Sequence, residues 1–174
     1  MRYRYTNLLI VLMLAFAVSA QAGAQGKSTT PKTDALAKDA DVIVVGKVGR
    51  VESAWADGKQ RIETRISVSV DETIKGSTDG SALVVVVPGG EVDGVGEWYS
   101  HTPRFGQDED VVLFAKKDSQ GKYRVAGGEN GKFTVTKDAK TGARMIKNVG
   151  TLDEVTASIK KSVRGTDGGS NHKE

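Results

Sequence analysis

Ile62, Thr64, Ile66, Val68 and Val70 alternate with Glu63, Arg65, Ser67 and Ser69. A two-residue period held over this stretch predicts a strand with one buried and one wet face. The phase is lost after Val70, so a bulge or strand end is expected near Asp71, before the Lys75-Gly76 turn. Other apolar stretches lack alternation. Leu83 to Val87 runs unbroken to Pro88-Gly89-Gly90, and Val111-Val112-Leu113-Phe114-Ala115 runs to Lys116-Lys117-Asp118. Both read as strands buried on two faces. Val42-Ile43-Val44-Val45, followed by Gly46, Val48 and Val51, predicts a strand that bends at its glycines. Two shorter strands, 123–126 and 132–136, flank Gly127–Gly131, and 144–149 adds a last edge strand.

Helical periodicity is confined to the two ends. Thr33 to Ala40 predicts a short helix with Thr33 or Asp34 as cap and Leu36, Ala37 and Ala40 on one side. Thr151-Leu152-Asp153-Glu154 is a capping box, after which Leu152, Val155, Ile159 and Val163 share one face and Gly165 supplies a stop. Many short strands with one amphipathic helix, and no strand–helix alternation, predict a mainly β fold. The expected form is a small OB-like antiparallel β-barrel with a short N-terminal and an amphipathic C-terminal helix.

The chain outside this region lacks core-forming residues or is addressed elsewhere. Arg2 and Arg4 precede an apolar run from Leu8 to Val18, and Ala20-Gln21-Ala22 places small side chains where a signal peptidase reads. Residues 1–22 are therefore expected to be a cleaved signal peptide, with Ala22-Gly23-Ala24 as a second possible cut. Against an uncleaved anchor stand the short core and the Ala-x-Ala site, and the absence of cysteine excludes a lipid anchor. Residues 23–32 read as a flexible leader, 33–165 as one domain and 166–174 as a disordered tail. The mature chain is expected to be exported, periplasmic or extracellular, and not membrane-spanning after cleavage.

Export changes the meaning of the charge. Arg2 and Arg4 are two of 25 lysines and arginines, so 23 basic residues remain against 22 acidic ones. A nearly neutral chain with interspersed signs lacks the basic face that nucleic acid demands, so no nucleic-acid partner is expected. With no cysteine, stability in an oxidising compartment rests on packing, and thiol nucleophiles and cysteine zinc sites are excluded.

Catalytic and cofactor patterns fail in detail. Gly26-Lys27-Ser28 ends like a phosphate loop, but the required earlier glycine is Gln21. Gly94-Val95-Gly96 follows a strand, but a dinucleotide loop needs glycine where Tyr99 stands. His101 is the only histidine outside the tail, and it has no evident Ser or Asp relay. Asp39/Asp41 and Asp108-Glu109-Asp110 lack calcium-loop spacing and read as solvated turn charges. No catalytic residue, cofactor or metal ligand is assigned. The positive hint is aromatic: Trp55 in one loop, and Trp98, Tyr99, His101 and Arg104 in the long Gly89–Gly106 loop. Such residues are the candidate partner-binding set, unless Trp55 and Trp98 merely cap the barrel ends.

Several segments across residues 40–136 carry a resemblance. They are Ala40–Val48, Val68–Gly76, the strand ending Val87-Pro88-Gly89-Gly90, and Phe105–Phe114. Their order resembles a group of exported bacterial domains of poorly known function. More distantly it is similar to the netrin-type and tissue-inhibitor-of-metalloproteinase module, an OB-like five-stranded barrel with flanking helices. That resemblance implies the barrel and a binding role. It lends no zinc-chelating residue, because the N-terminal cysteine and the disulfides of the animal inhibitors are absent. The expected function is thus an exported non-enzymatic binding module acting on a protein or cell-envelope component. The alternative is an exported hydrolase whose carboxylate pair meets only in space.

Overall fold

The two-residue period of 62–70 places its apolar side chains inside: Ile62, Ile66 and Val68 are fully buried in a computed structural model that describes residues 31–167. In chain order the elements are α1 (Pro31–Asp39), β1 (Val42–Ala56), β2 (Arg61–Lys75), β3 (Ala82–Pro88), β4 (Gly90–Val92), β5 (Val95–Glu97) and β6 (Asp110–Lys117). Then come β7 (Tyr123–Val125), a 3-10 turn (Gly128–Gly131), β8 (Lys132–Lys137), β9 (Arg144–Ile146), β10 (Gly150–Thr151) and α2 (Leu152–Asp167). The fold is mainly β. Eight strands form one sheet in the order β1-β2-β3-β7-β6-β8-β9-β10, and β4-β5 is a separate hairpin. β6 also pairs with β1, so the ladders run through five strands and return to the first. All pairings are antiparallel except β3–β7, which meet in parallel at Val85 and Tyr123.

The loss of phase near Asp71 is a bulge. Register passes from Gly46–Val70 to Val45–Glu72, leaving Asp71 unmatched, while β2 continues to Lys75. Gly46 is required there, since a Cβ would lie 2.1 Å from the Ser69 carbonyl oxygen.

β6 is buried on both faces, as its apolar run predicts. Val111, Leu113 and Ala115 join Val44, Ile66 and Val85 in one core. Val112 and Phe114 face a second core with Leu36 of α1 and Leu152, Val155 and Ile159 of α2. β3 departs from the two-faced expectation at Val84, which is 49% exposed although Val86, two residues on and on the same side, is buried. The capping box forms: Thr151 N donates to Glu154 Oε2 (3.0 Å) and Glu154 N to Thr151 Oγ1 (3.3 Å). α2 does not stop at Gly165 but runs to Asp167, since Gly165 keeps helical backbone and takes no left-handed cap. α1 starts two residues earlier than expected, with Pro31 at its first position, where a missing N–H costs nothing. Its C-terminus is capped by Lys75 Nζ, which donates to the Ala37 (2.8 Å) and Ala40 (2.6 Å) carbonyls. The predicted signal peptide, most of the leader and 168–174 lie outside the described residues. No helix among the described residues is long and apolar enough to cross a membrane.

Candidate functional site

β1 runs on past the end of its β6 partner, staying paired with β2: Val51 with Ile66, Ser53 with Thr64 and Trp55 with Ile62. Across this extension lies the segment from Pro88 to Phe105, and between them is a groove of about 390 Å³. Val51, Ser53, Thr64 and Ile66 form its floor, and Trp98, Tyr99, Arg104 and Phe105 its opposite wall. The floor approaches Gly90 so closely that a Cβ there would lie 2.3 Å from Ser53 Oγ and 2.4 Å from Thr64 Oγ1. Only glycine fits this contact, and its φ of 134° is also one that L side chains rarely adopt.

The segment expected to be one long loop contains the β4–β5 hairpin. Its turn, Asp93-Gly94, has both φ values positive (52° and 77°), the two-residue turn that matches strand twist. Asp-Gly between Val92 and Val95 is a hairpin signal, hidden in the sequence by surrounding glycines. Glu97 at the end of β5 fastens the hairpin to the floor, accepting from Ile62 N (2.9 Å) and from the Tyr99 hydroxyl (3.3 Å).

The wall itself is anchored at two points. Lys132 Nζ donates to Arg104 O (2.7 Å) and Glu109 Oε1 (2.6 Å), and sits 5.1 Å from the Phe105 ring centroid. Glu109 also accepts from Gly106 N (3.0 Å) and from the Thr134 hydroxyl. Burial pushes the Glu109 carboxyl up, but the hydrogen bonds from Lys132, Thr134 and Gly106 outweigh it and hold the group below its ordinary value. The second anchor is the 3-10 turn: Glu129 N donates to His101 O (2.9 Å), and His101 Nδ1 lies 3.2 Å from Glu129 Oε1.

Of the residues singled out in the sequence, Trp98, Tyr99 and Arg104 come together on the groove wall, with the Arg104 guanidinium 5.3 Å from the Trp98 ring centroid. Trp98 is 69% exposed and Tyr99 50%. Trp55, half-buried farther out along β1, does not line the groove, and His101 turns toward Glu129 instead. Sequence reasoning missed Ser53, Thr64, Glu109 and Lys132, whose roles depend on strand register. Two of the acidic residues meet basic partners, Asp39 with Lys116 (2.5 Å) and Asp110 with Lys47 (2.8 Å), while Asp41 Oδ2 accepts from the Lys117 backbone N–H (2.8 Å). Among the described residues there is no cluster of three metal-ligating side chains.

A second polar cluster holds the ladder circuit together. Glu63, on the nominally wet face of β2, is 7% exposed and accepts from Arg124 Nη2 (2.9 Å) and Lys122 Nζ (3.4 Å). Arg124 Nε donates to Asp118 Oδ2 (3.0 Å). Burial pushes Glu63 up, but Arg124, then Lys122, holds it below the usual glutamate range.

No family model matches the chain, and no curated protein matches it.

Proposed function

We propose that this chain is an exported, non-enzymatic binding module, an OB-like barrel that engages a protein or cell-envelope component through the aromatic groove. One observation carries the reading: a large aromatic side chain, Trp98, stands 69% exposed beside a walled groove. Side chains of this size are usually buried, and an exposed one on an anchored loop is a contact held ready at low ordering cost. The five-strand circuit with its parallel β3–β7 contact supports the OB-like barrel, the architecture that the netrin-type resemblance implies. Export rests on the sequence of residues 1–22.

The hydrolase alternative has no observation in its favour. A carboxyl acting as general acid needs a raised value. Glu63, Glu109, Asp118 and Asp138 are instead held below their ordinary values.

The test is capture from envelope extract by the mature protein, comparing wild type with Trp98→Ala, alongside a hydrolase screen. A component retained by wild type and lost by the variant is expected. Hydrolysis that disappears on substitution of one carboxylate would overturn the reading.

A further inference from the structure

We propose that the groove takes an extended polypeptide segment, added as a strand along the free edge of β1. The proposal rests on the binding-module reading and names its ligand. β6 pairs with β1 only from Val42 to Lys47. Val48 makes the last contacts on that side, donating from its N–H to Glu109 O and accepting from Asp108 N, each at 2.8 Å. From there to Ala56, β1 is bonded to β2 alone, and among the described residues no backbone bond reaches it from the other side.

The groups left on that edge follow from antiparallel alternation. On β2, Ile62 directs its carbonyl to Gly89 N (2.8 Å) and its N–H to Glu97, and Val70 N reaches Ser81 O (2.8 Å). The residues in phase with them, Thr64 and Ile66, therefore bond toward β3. Their cross-strand partners on β1, Trp55, Ser53 and Val51, are non-hydrogen-bonded pairs whose N–H and C=O groups point outward. Val51 and Ser53 are also floor residues of the groove. The segment running from the opposite wall through Asp108 and Glu109 is bonded to the same edge at Val48, and Val51 and Ser53 form the β1 border of the groove, so the groove opens onto this edge. Strand edges and adjoining side-chain pockets together make a peptide site, with main-chain bonds for affinity and alternate side chains for specificity.

The groove also states what those side chains are. Ile66, Phe105 and Trp98 favour an apolar or aromatic residue. The Thr64 hydroxyl donates to Gly89 O (2.6 Å), so in its 2.9 Å contact with Ser53 the serine donates and keeps its own acceptor lone pairs for a ligand. Arg104 stacks on Trp98 and has no carboxylate partner among the described residues. An acidic side chain near the apolar one complements it. Arg50 and Glu52, both exposed, put charges on the same strand, a device that discourages pairing with a second copy of the edge.

The test selects displayed random dodecapeptides on the mature protein and measures the selected peptides against three variants. Ser53→Pro removes an N–H that faces only the free edge, where proline is tolerated within a sheet. Ser53→Ala removes the hydroxyl and keeps the amide. Trp98→Ala opens the wall. Selected peptides are expected to alternate apolar and polar residues with an acid nearby, to weaken about tenfold with Ser53→Pro and Trp98→Ala, and to weaken only about threefold with Ser53→Ala, which loses the one side-chain acceptor and keeps the amide. On the unmodified protein, peptide should slow amide exchange at Val51, Ser53 and Trp55, a readout that survives if Ser53→Pro misfolds. Peptides that need Trp98 yet leave those amides unprotected would overturn strand addition and leave the groove reading standing. Selection of nothing above background, or of peptides indifferent to Trp98→Ala, would overturn both. Dimerisation in sedimentation that no peptide competes would assign the edge to a second copy and refute the proposal.

Discussion

Replacing Glu63 with glutamine removes a charge from the polar cluster that spans β2 and β7. The carboxylate is nearly enclosed, its side chain 9% exposed, and the Arg124 side chain is 29% exposed. Taking one partner from a fully buried pair costs about 3–5 kcal/mol. Here Arg124 keeps Asp118 and some solvent, so about 2 kcal/mol is expected at neutral pH. For a domain of this size that lowers Tm by roughly 4–8 °C. The pH dependence has a definite sign. The folded-state value of Glu63 lies below its unfolded 4.5, so its contribution is fully present above that and is lost as pH falls through the depressed folded value. Urea denaturation of wild type and Glu63→Gln at neutral pH and at about pH 3 measures this. The gap should narrow in acid. A gap of under about 0.5 kcal/mol at neutral pH, or one equally large in acid, would refute the argument.

Three further outcomes follow from the geometry. Gly90→Ala should destabilise the fold by about 1–3 kcal/mol, because the new methyl meets two hydroxyls and the φ of 134° is disfavoured; a thermal melt checks it. Thr151→Ala should cost about 1 kcal/mol through loss of the capping box, read by urea titration of helical circular dichroism. Lys132→Met should release the groove wall while leaving α2 intact; in a Trp55→Phe background, Trp98 fluorescence anisotropy should fall and far-UV circular dichroism should stay unchanged.

What the sequence reveals depends on how local the cause is. The period in β2 is legible because one face is wet, and β6 because cores lie on both sides. Glu63 breaks the period for a distant reason: Arg124 arrives from β7. Val84 sits in an apolar run yet is exposed, since whether anything covers it depends on the tertiary arrangement. The start of α2 is written in four consecutive residues, whereas its end is not, because a glycine only permits the left-handed stop. Trp98, Tyr99 and Arg104 are visible as loop aromatics and a cation. Ser53 and Thr64 look like ordinary strand residues until the register sets them under Gly90.

The β1–β6 ladder that divides the two cores also dictates a folding sequence in time. β1 and β2 are neighbours in the chain, so their hairpin closes a short loop. β6 must travel from far along the chain to reach Val42 to Lys47, and only then can α2 settle on Val112 and Phe114. Closing distant contacts is slow, so the central wall is laid down late. Folding kinetics should accordingly give high φ-values at Ile66 and low ones at Val112. Until that step the apolar edge of β1 is unpaired, and the partly folded chain is at its most prone to pair with another copy of itself.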